Sequence, residues 1–158
     1  VDNKPTVIMA GSLSWPPFRE SMAEYLEFYN RYKDKLNIFI VYISEAHFVE
    51  ENGYGWAIGY NYRIPQHKTL EERIVRAKQL RDEFAINIPM FIDNMGHSFN
   101  LEYGAWPDML YYITNNKVVF FGELEEGGIR RETFSSKLER MMNNNQIWKK
   151  DIIILTVL

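Results

Sequence analysis

The sequence predicts an α/β sandwich in which a central mixed β-sheet is flanked by helices. Apolar runs typical of buried strands alternate with helical patterns through the first part of the chain. Two further apolar runs, joined by a turn that contains two asparagines, predict a hairpin, and a helical pattern follows them. The chain has 158 residues, of which 46% are hydrophobic, and this is enough for one domain with its own core.

The first half of the chain is predicted to alternate strand, helix and strand. Residues 6–10 form an apolar strand pattern, and a helical pattern runs from Ser21 to Lys33. Ser21-x-x-Glu24 resembles a capping box, which satisfies free backbone N–H groups where a helix begins. Residues 36–43 are almost all apolar and β-branched or aromatic, as expected of a strand covered on both faces. Residues 44–66 form a long connection, and such connections in compact domains are usually functional.

The second half is predicted to contain a helix, a strand, a hairpin and a closing helix. Thr69-x-x-Glu72 repeats the capping-box pattern and opens a helix that continues to Phe84. Residues 88–92 form a short buried strand, residues 109–121 a hairpin that turns at 115–117, and residues 132–142 the last helix. The resulting order is β-α-β-α-β-β-β-α. Parallel strands with crossover helices, followed by a hairpin and a helix, predict a thioredoxin-like sandwich.

We expect this domain to occupy residues 1–146 and a strand-like tail to occupy residues 147–158. The apolar run from Ile152 to Leu158 has two interpretations: an edge strand of the same sheet, or a docking strand for another chain. Because the sequence begins at Val1 without an initiator methionine, we also expect it to be a processed or trimmed fragment.

Composition excludes several classes of function. The net charge is only −3 and no basic stripe follows any predicted helix, so nucleic acid is not expected as a partner. No apolar run approaches the ~20 residues that cross a bilayer, so no transmembrane segment is predicted. The chain has no cysteine, which excludes a disulfide framework, a thiolate metal site and a thiol nucleophile.

The loop Gly11–Phe18 joins the first strand to the first helix, where thioredoxin-like proteins carry their reactive thiol or selenol. Leu13 and Trp15 occupy the positions where such a residue would lie. Neither side chain can attack a substrate or cycle through a disulfide, so the sequence predicts a redox fold that has lost its nucleophile.

Six blocks of sequence, in the same order and at similar spacing from about Thr6 to Met142, resemble the iodothyronine deiodinases. They are Gly11-Ser12-x-Ser14-x-Pro16-Pro17-Phe18, Val41-Tyr42-Ile43-Ser44-Glu45-Ala46-His47, Gly55-Trp56-Ala57, His67 with Arg73, Asp93-x-Met95 and Tyr103-Gly104-Ala105. The resemblance implies a thioredoxin-like fold related to peroxiredoxins, reductive removal of iodine from aromatic rings, and dimers.

In that family a selenocysteine occupies the position of Trp15, and a cysteine often occupies that of Leu13. The resemblance therefore does not bring the family's mechanism to this chain. It also implies that His47 matches a histidine used for substrate binding or proton delivery.

Four loops are expected to meet beyond the carboxyl ends of the parallel strands, where open α/β sheets bind ligands. They are the loop with Leu13 and Trp15, the segment with Glu45 and His47, residues 93–97, and Trp106-Pro107. We expect a trans bond at Trp106-Pro107, because only about 5–6% of X-Pro bonds are cis.

Glu45 and His47 are alternate residues, so in extended backbone both side chains point the same way. They form either a general acid–base pair or a structural hydrogen bond that closes the strand. His67 and Arg73 either clasp an anionic group or are structural, with Arg73 paired to Glu71, Glu72 or a loop carbonyl.

The three histidines, His47, His67 and His97, are weak candidates for a metal site, because no tight His-x-x-x-His spacing supports one. No cofactor is predicted. The candidate substrate-binding residues are Trp15, Trp56, His67, Arg73 and Trp106, and Tyr54, Tyr60 and Tyr62 are further aromatic residues in predicted loops. Such a set would suit a small aromatic ligand or a protein surface.

Two classes of function follow. The preferred hypothesis is a deiodinase-like pseudoenzyme that binds a protein partner or a second copy, as a subunit of a larger assembly. The alternative is an enzyme that uses Glu45 and His47 as acid and base, or a histidine-bound metal, on a small aromatic or halogenated substrate.

Overall fold

The computed structural model describes residues 4–50, 62–122 and 134–144. The strands are β1 (Thr6–Gly11), β2 (Asn37–Tyr42), β3 (Phe48–Val49), β4 (Ile64–Pro65), β5 (Met90–Ile92), β6 (Met109–Thr114) and β7 (Lys117–Gly122). The helices are α1 (Pro16–Glu20), α2 (Met22–Tyr32), α3 (Leu70–Glu83), α4 (Ser98–Tyr103) and α5 (Phe134–Asn144).

The main sheet has five strands in the order β5-β2-β1-β6-β7. Strands β1, β2 and β5 are parallel, β6 is antiparallel to β1, and β7 is antiparallel to β6. Gly11 is level with Tyr42 in the β1–β2 register, so the loops that follow these strands begin side by side. The predicted α/β sandwich with a mixed sheet is confirmed, and β3 and β4 form a separate parallel pair.

Helices α2, α3 and α5 cover one face of the sheet. Phe28 of α2, Leu80 of α3 and Leu138 of α5 belong to the same buried cluster as Val7 and Ile40 of the strands. Burial of a side chain of this size contributes about 1.5–3 kcal/mol. Among the helices of the described residues, α4 alone lies on the opposite face, where its aromatic side chains pack over the carboxyl-terminal end of β1 and the start of β6.

Of the two predicted capping boxes at helix starts, the structure contradicts the one at Ser21 and confirms the N-cap at Thr69. The capping box predicted at Ser21 is wrong, because the Ser21 hydroxyl donates to the Pro17 carbonyl (2.8 Å) at the junction with α1, a helix that was not predicted. Thr69 is confirmed as an N-cap, since its Oγ1 accepts from the Glu72 N–H at 3.2 Å. Helix α4 was also not predicted, because six residues are too few to show a helical period.

Three of the predictions concern particular loops. The turn at residues 115–116 is confirmed, with φ of 52° and 57° at the two asparagines, as the tight turns of hairpins require. The expectation of a trans Trp106-Pro107 bond is wrong: this bond is cis, and an average over all proline bonds does not decide an individual one. Tyr54, Trp56, Tyr60 and the tail of residues 147–158 lie outside the described residues.

Candidate functional site

The loops after β1 and β2 are joined to each other by three hydrogen bonds. The Ser12 hydroxyl accepts from the Ala46 N–H (3.2 Å), and the Ser14 hydroxyl accepts from the His47 N–H (3.0 Å). The Ser14 N–H in turn donates to Oε2 of Glu45 at 2.8 Å. These contacts hold the segment that would carry a nucleophile against the segment that carries the acid and base candidates.

Glu45 is fully buried and is the electrostatic centre of the site. Besides the Ser14 N–H, its carboxylate accepts from the Tyr42 hydroxyl, and Oε1 lies 3.2 Å from Nε2 of His67. Burial raises the pKa of the Glu45 carboxyl, but the contacts with His67, Ser14 and Tyr42 outweigh burial and hold its pKa below the usual value. Burial and the Glu45 charge together raise the pKa of the Tyr42 phenol well above its usual value.

Arg73 extends this network from the opposite side of His67. Its Nε donates to Nδ1 of His67 (3.4 Å), which leaves the imidazole proton on Nε2, the atom that faces Glu45. Its Nη1 donates to the carbonyls of Asp93 (2.8 Å) and Asn94 (2.6 Å). The side chain is 0% exposed, so burial lowers the pKa of the guanidinium, and the charge of Asp93 partly offsets this.

The partner of Glu45 therefore differs from the prediction. The sequence predicted that Glu45 and His47 point the same way, as alternate residues of a strand do. Strand β2 already ends at Tyr42 and residues 43–47 are not a strand, and Glu45 contacts His67. For Arg73, the bonds seen are those of the structural alternative, to loop carbonyls. These contacts do not test the predicted binding of an anionic group.

The histidines lie around Arg73 and Trp15. Nδ1 of His97 is 3.5 Å from Nη2 of Arg73, so Arg73 contacts two of the three imidazoles, while His47 stacks on Trp15. Within residues 4–50, 62–122 and 134–144, no group of three or more His, Asp or Glu side chains is arranged to hold a metal ion.

Trp15 fills the position expected for a nucleophile. Its indole stacks on the His47 imidazole with ring centroids 5.0 Å apart and planes inclined by 21°. Only 6% of Trp15 is exposed, and Leu13 is completely buried. The indole Nε1 is buried, and no described residue accepts a hydrogen bond from it. Trp106, in contrast, is 46% exposed.

Sequence reasoning missed several polar residues that support this site. Gln66 bonds both main-chain groups of Glu45: its Oε1 accepts from the Glu45 N–H and its Nε2 donates to the Glu45 carbonyl, both at 3.0 Å. Its position directly before His67 was the available signal. Asp93 was placed near the site, but its carboxylate accepts from the Phe99 and Asn100 N–H groups at the start of α4.

The site thus combines a buried carboxylate, imidazole and guanidinium with a loop that contains no cysteine. Its fold and this arrangement define the class as a thioredoxin-like α/β domain. The solution structure of a thioredoxin-like protein in the oxidized form has a TM-score of 0.55, is 19% identical, and is matched over 90% of this chain and 80% of that one. An uncharacterized conserved protein from Geobacillus kaustophilus has a TM-score of 0.62 at 14% identity, over 94% and 72% of the two chains.

Sequence comparison narrows this class to one family. The family model described as iodothyronine deiodinase matches residues 1–142. The type I iodothyronine deiodinase of Xenopus laevis is 31% identical over 137 residues, which are 87% of this chain and 52% of that protein. The thyroxine 5-deiodinase of Sparus aurata is 33% identical over 141 residues, 89% of this chain and 51% of that protein. The chain belongs to the iodothyronine deiodinase family.

The resemblance inferred from the sequence blocks is therefore confirmed. The chain spans about half the length of the curated relatives it matches. Among its described residues, no helix is both long enough and apolar enough to span a membrane.

Proposed function

We propose that this chain is a deiodinase-family domain that has lost thiol and selenol chemistry and acts by binding a protein partner. The observation that carries the proposal is Trp15. It lies where the family carries its nucleophile, it is buried, and it stacks on His47. The chain also has no cysteine that could act from another position.

The chemistry of removing iodine supports this proposal. Two relatives are named as deiodinases of iodothyronine and thyroxine. A thiolate or selenolate removes iodine by attacking the iodine atom: a chalcogen–iodine bond forms, the carbon–iodine bond breaks and the ring carbon takes a proton. Two thiols then reduce the chalcogen, which releases iodide and a disulfide, so the reaction requires a thiolate or selenolate. An indole and an isobutyl group, the side chains of Trp15 and Leu13, cannot take that role.

The exposed apolar residues favour a protein as the partner. Trp15 is stacked on His47 and buried, so it leaves little of its surface for a flat ligand. Leu101 of α4 is 76% exposed and Trp106 is 46% exposed, and both follow the strands whose carboxyl ends carry the site. Tryptophan is enriched among the residues that carry most of the binding energy at protein interfaces, so Trp106 is the candidate anchor.

Iodide release from thyroxine in the presence of dithiothreitol tests the loss of chemistry. We expect none from the wild-type protein and none from Trp15→Ala, which has no nucleophile either. Trp15→Cys is the matched variant that restores a thiol, and iodide release by it alone would assign the loss to this one position. Thiol-dependent release by the wild-type protein would overturn the proposal.

Native mass spectrometry of the protein purified untagged from its source tests the binding role. We expect a stoichiometric complex that Trp106→Asp dissociates. Val75→Asp is the control, because Val75 is 58% exposed on α3 and its loss should leave the complex intact. A monomer, or a complex equally sensitive to both variants, would contradict the proposed surface.

A second candidate is an acid–base enzyme of the same fold, and the buried Glu45–His67 pair favours it. Burial together with an ionised partner is the arrangement by which enzymes tune acids and bases. The reaction such a pair could support is hydrolysis, in which water forms a carbon–oxygen bond to the ring as the carbon–iodine bond breaks and the Glu45–His67 pair takes the proton of the water. Release of iodide from 3-iodotyrosine or thyroxine without added thiol, lost in both Glu45→Gln and His67→Gln, would support it. Absence of release in the wild-type protein leaves the binding role as the proposal.

A further inference from the structure

One face of the main sheet is only partly covered within the described part of the chain. Ile8 is flanked in register by Phe39 on β2 and Tyr111 on β6, and Tyr111 lies opposite Phe121 on β7. Phe91 on β5 packs edge-on against Phe39 with ring centroids 5.2 Å apart. We call the residues Ile8, Phe39, Phe91 and Phe121 the exposed sheet face.

The exposed sheet face is apolar and accessible. Phe91 is 57% exposed and Phe121 is 49% exposed, although both belong to strands. Helix α4 covers only the carboxyl-terminal end of this face, through Phe99 and Tyr103. A sheet normally packs a second layer on each apolar face, and an open apolar face indicates that something else covers it.

Helix α5 ends beside the amino-terminal ends of the central strands, where a segment that covers the exposed sheet face would begin. The Ser135 N–H donates to Glu24 at the start of α2 (2.8 Å), and Glu139 accepts from Arg31 and Tyr32 at the end of α2. Helix α5 therefore runs in the same direction as α2. It ends near the amino-terminal ends of β1 and β2.

The sequence that follows α5 has the composition of a covering segment. The family match stops at residue 142, and the segment Ile152–Leu158 contains six apolar residues and one threonine. The seven residues 145–151 between α5 and this segment reach about 23 Å when extended. Packed layers are about 10 Å apart, so this reach is enough to pass the end of the sheet.

Pairing of this segment as a parallel edge strand beside β7 conflicts with crossover handedness. The connection from β1 through α2 to β2 moves towards β5, with its helix on the covered face. Strand β7 runs parallel to β1, and a strand added beside β7 would extend the sheet away from β5, with the connecting helix α5 on the same face as α2. This connection would be left-handed, whereas nearly all such crossovers are right-handed.

We propose that residues 152–158 pack on the exposed sheet face of their own chain. The segment covers Phe39, Phe91 and Phe121 as an additional apolar layer opposite α2 and α5. This inference is independent of the proposed function, because it makes no use of Trp15, of Trp106 or of iodide chemistry.

Engineered cysteine pairs test the proposal without background, because the natural chain has no cysteine. The test pairs are Leu155→Cys with Phe91→Cys and Leu155→Cys with Phe121→Cys. The control pair is Leu155→Cys with Val75→Cys, since Val75 is exposed on α3 on the opposite side of the sheet.

We expect at least one test pair to form an intramolecular disulfide several-fold faster than the control pair, at a rate independent of protein concentration. Equal rates in all three pairs would overturn the proposal. Disulfide-linked dimers whose yield rises with concentration would also overturn it and would identify a second copy as the occupant.

A second measurement tests the proposal without cysteine variants, and so holds even if those variants do not fold. Ile154→Asp in the full chain should increase the fluorescence of a dye that binds apolar surfaces, because the exposed sheet face loses its cover. Lys150→Asp, in the same stretch of chain, is the control and should leave it unchanged. Equal fluorescence of Ile154→Asp and the wild-type protein would overturn the proposal.

Discussion

Replacement of Glu45 by glutamine is expected to lower the free energy of unfolding more than any other single polar change in the site. The carboxylate accepts from the Ser14 N–H at 2.8 Å and from the Tyr42 hydroxyl, and it faces Nε2 of His67 at 3.2 Å. A glutamine has the same shape but carries one donor group. Its NH₂ must therefore face either the Ser14 N–H or the Tyr42 and His67 donors.

The size of the effect follows from burial. Glu45 is 0% exposed, so a mismatched donor cannot turn to water. A hydrogen bond to a buried charged group contributes about 1.5–3 kcal/mol, and Glu45→Gln weakens or breaks more than one such bond, which is a large part of the ~5–15 kcal/mol that stabilises a typical domain. Urea unfolding followed by tryptophan fluorescence measures the loss. Glu102→Gln, on the exposed side of α4, is the control and should change stability by less than about 0.5 kcal/mol.

The direction of the Glu45 pKa shift predicts how the stability difference between the wild-type protein and Glu45→Gln changes with pH. The pKa of Glu45 is held below its usual value, so its contribution is full above the ordinary glutamate pKa of about 4.3 and is lost as pH falls through the lower folded value. The stability difference between the wild-type protein and Glu45→Gln should therefore be constant near neutral pH and shrink in acid. Equal urea midpoints at pH 7, or a difference that grows in acid, would refute the reasoning.

Four further replacements test other contacts by the same unfolding assay. Trp15→Ala should cost about 3–5 kcal/mol, whereas Trp15→Phe should cost clearly less, because it keeps an aromatic ring beside His47 and loses no hydrogen bond to a described residue; equal costs would contradict this. Gly11→Ala should cost about 1–3 kcal/mol, since a Cβ there would lie 2.3 Å from the Phe18 ring, and adding Phe18→Leu should recover part of the loss. Arg73→Lys should cost about 1.5–3 kcal/mol, because one ammonium cannot serve both loop carbonyls and His67, and an unchanged midpoint would argue against this network. Thr69→Ala should cost about 0.5–2 kcal/mol through loss of the N-cap hydrogen bond, and Thr69→Ser should keep most of that stability because it keeps the hydroxyl.

The regular elements could be predicted because each carries its signal locally. Strand β2 is a nearly continuous apolar run, and helix α3 begins with a cap that the sequence displays. The short helices α1 and α4 lack such signals. Helix α1 begins with two prolines and α4 is capped by Asp93, five residues before its first residue. Neither arrangement produces a helical period.

The sequence predicted which residues belong to the site but not which of them contact each other. Sequence reasoning placed Glu45 and residues 93–97 beyond the strand ends and named His67 and Arg73 as candidate binding residues, and the contacts connect all of them. It paired Glu45 with a neighbour in sequence because alternation was the only geometry available. The actual partner, His67, comes from a different loop, and only the docking of α3 against β5 brings it into contact.

By itself, the amino-acid sequence determined the fold class, the family and the absence of cysteine, because these depend on residue type and local spacing. Only the tertiary structure decided that Trp15 is packed inside the domain and that Arg73 orients His67 towards Glu45. It also decided that the sheet has an apolar face opposite α2 and α5 that the described residues cover only in part. Burial and hydrogen-bond pairing are properties of segments distant in sequence that meet only when the sheet forms, so no local pattern encodes them.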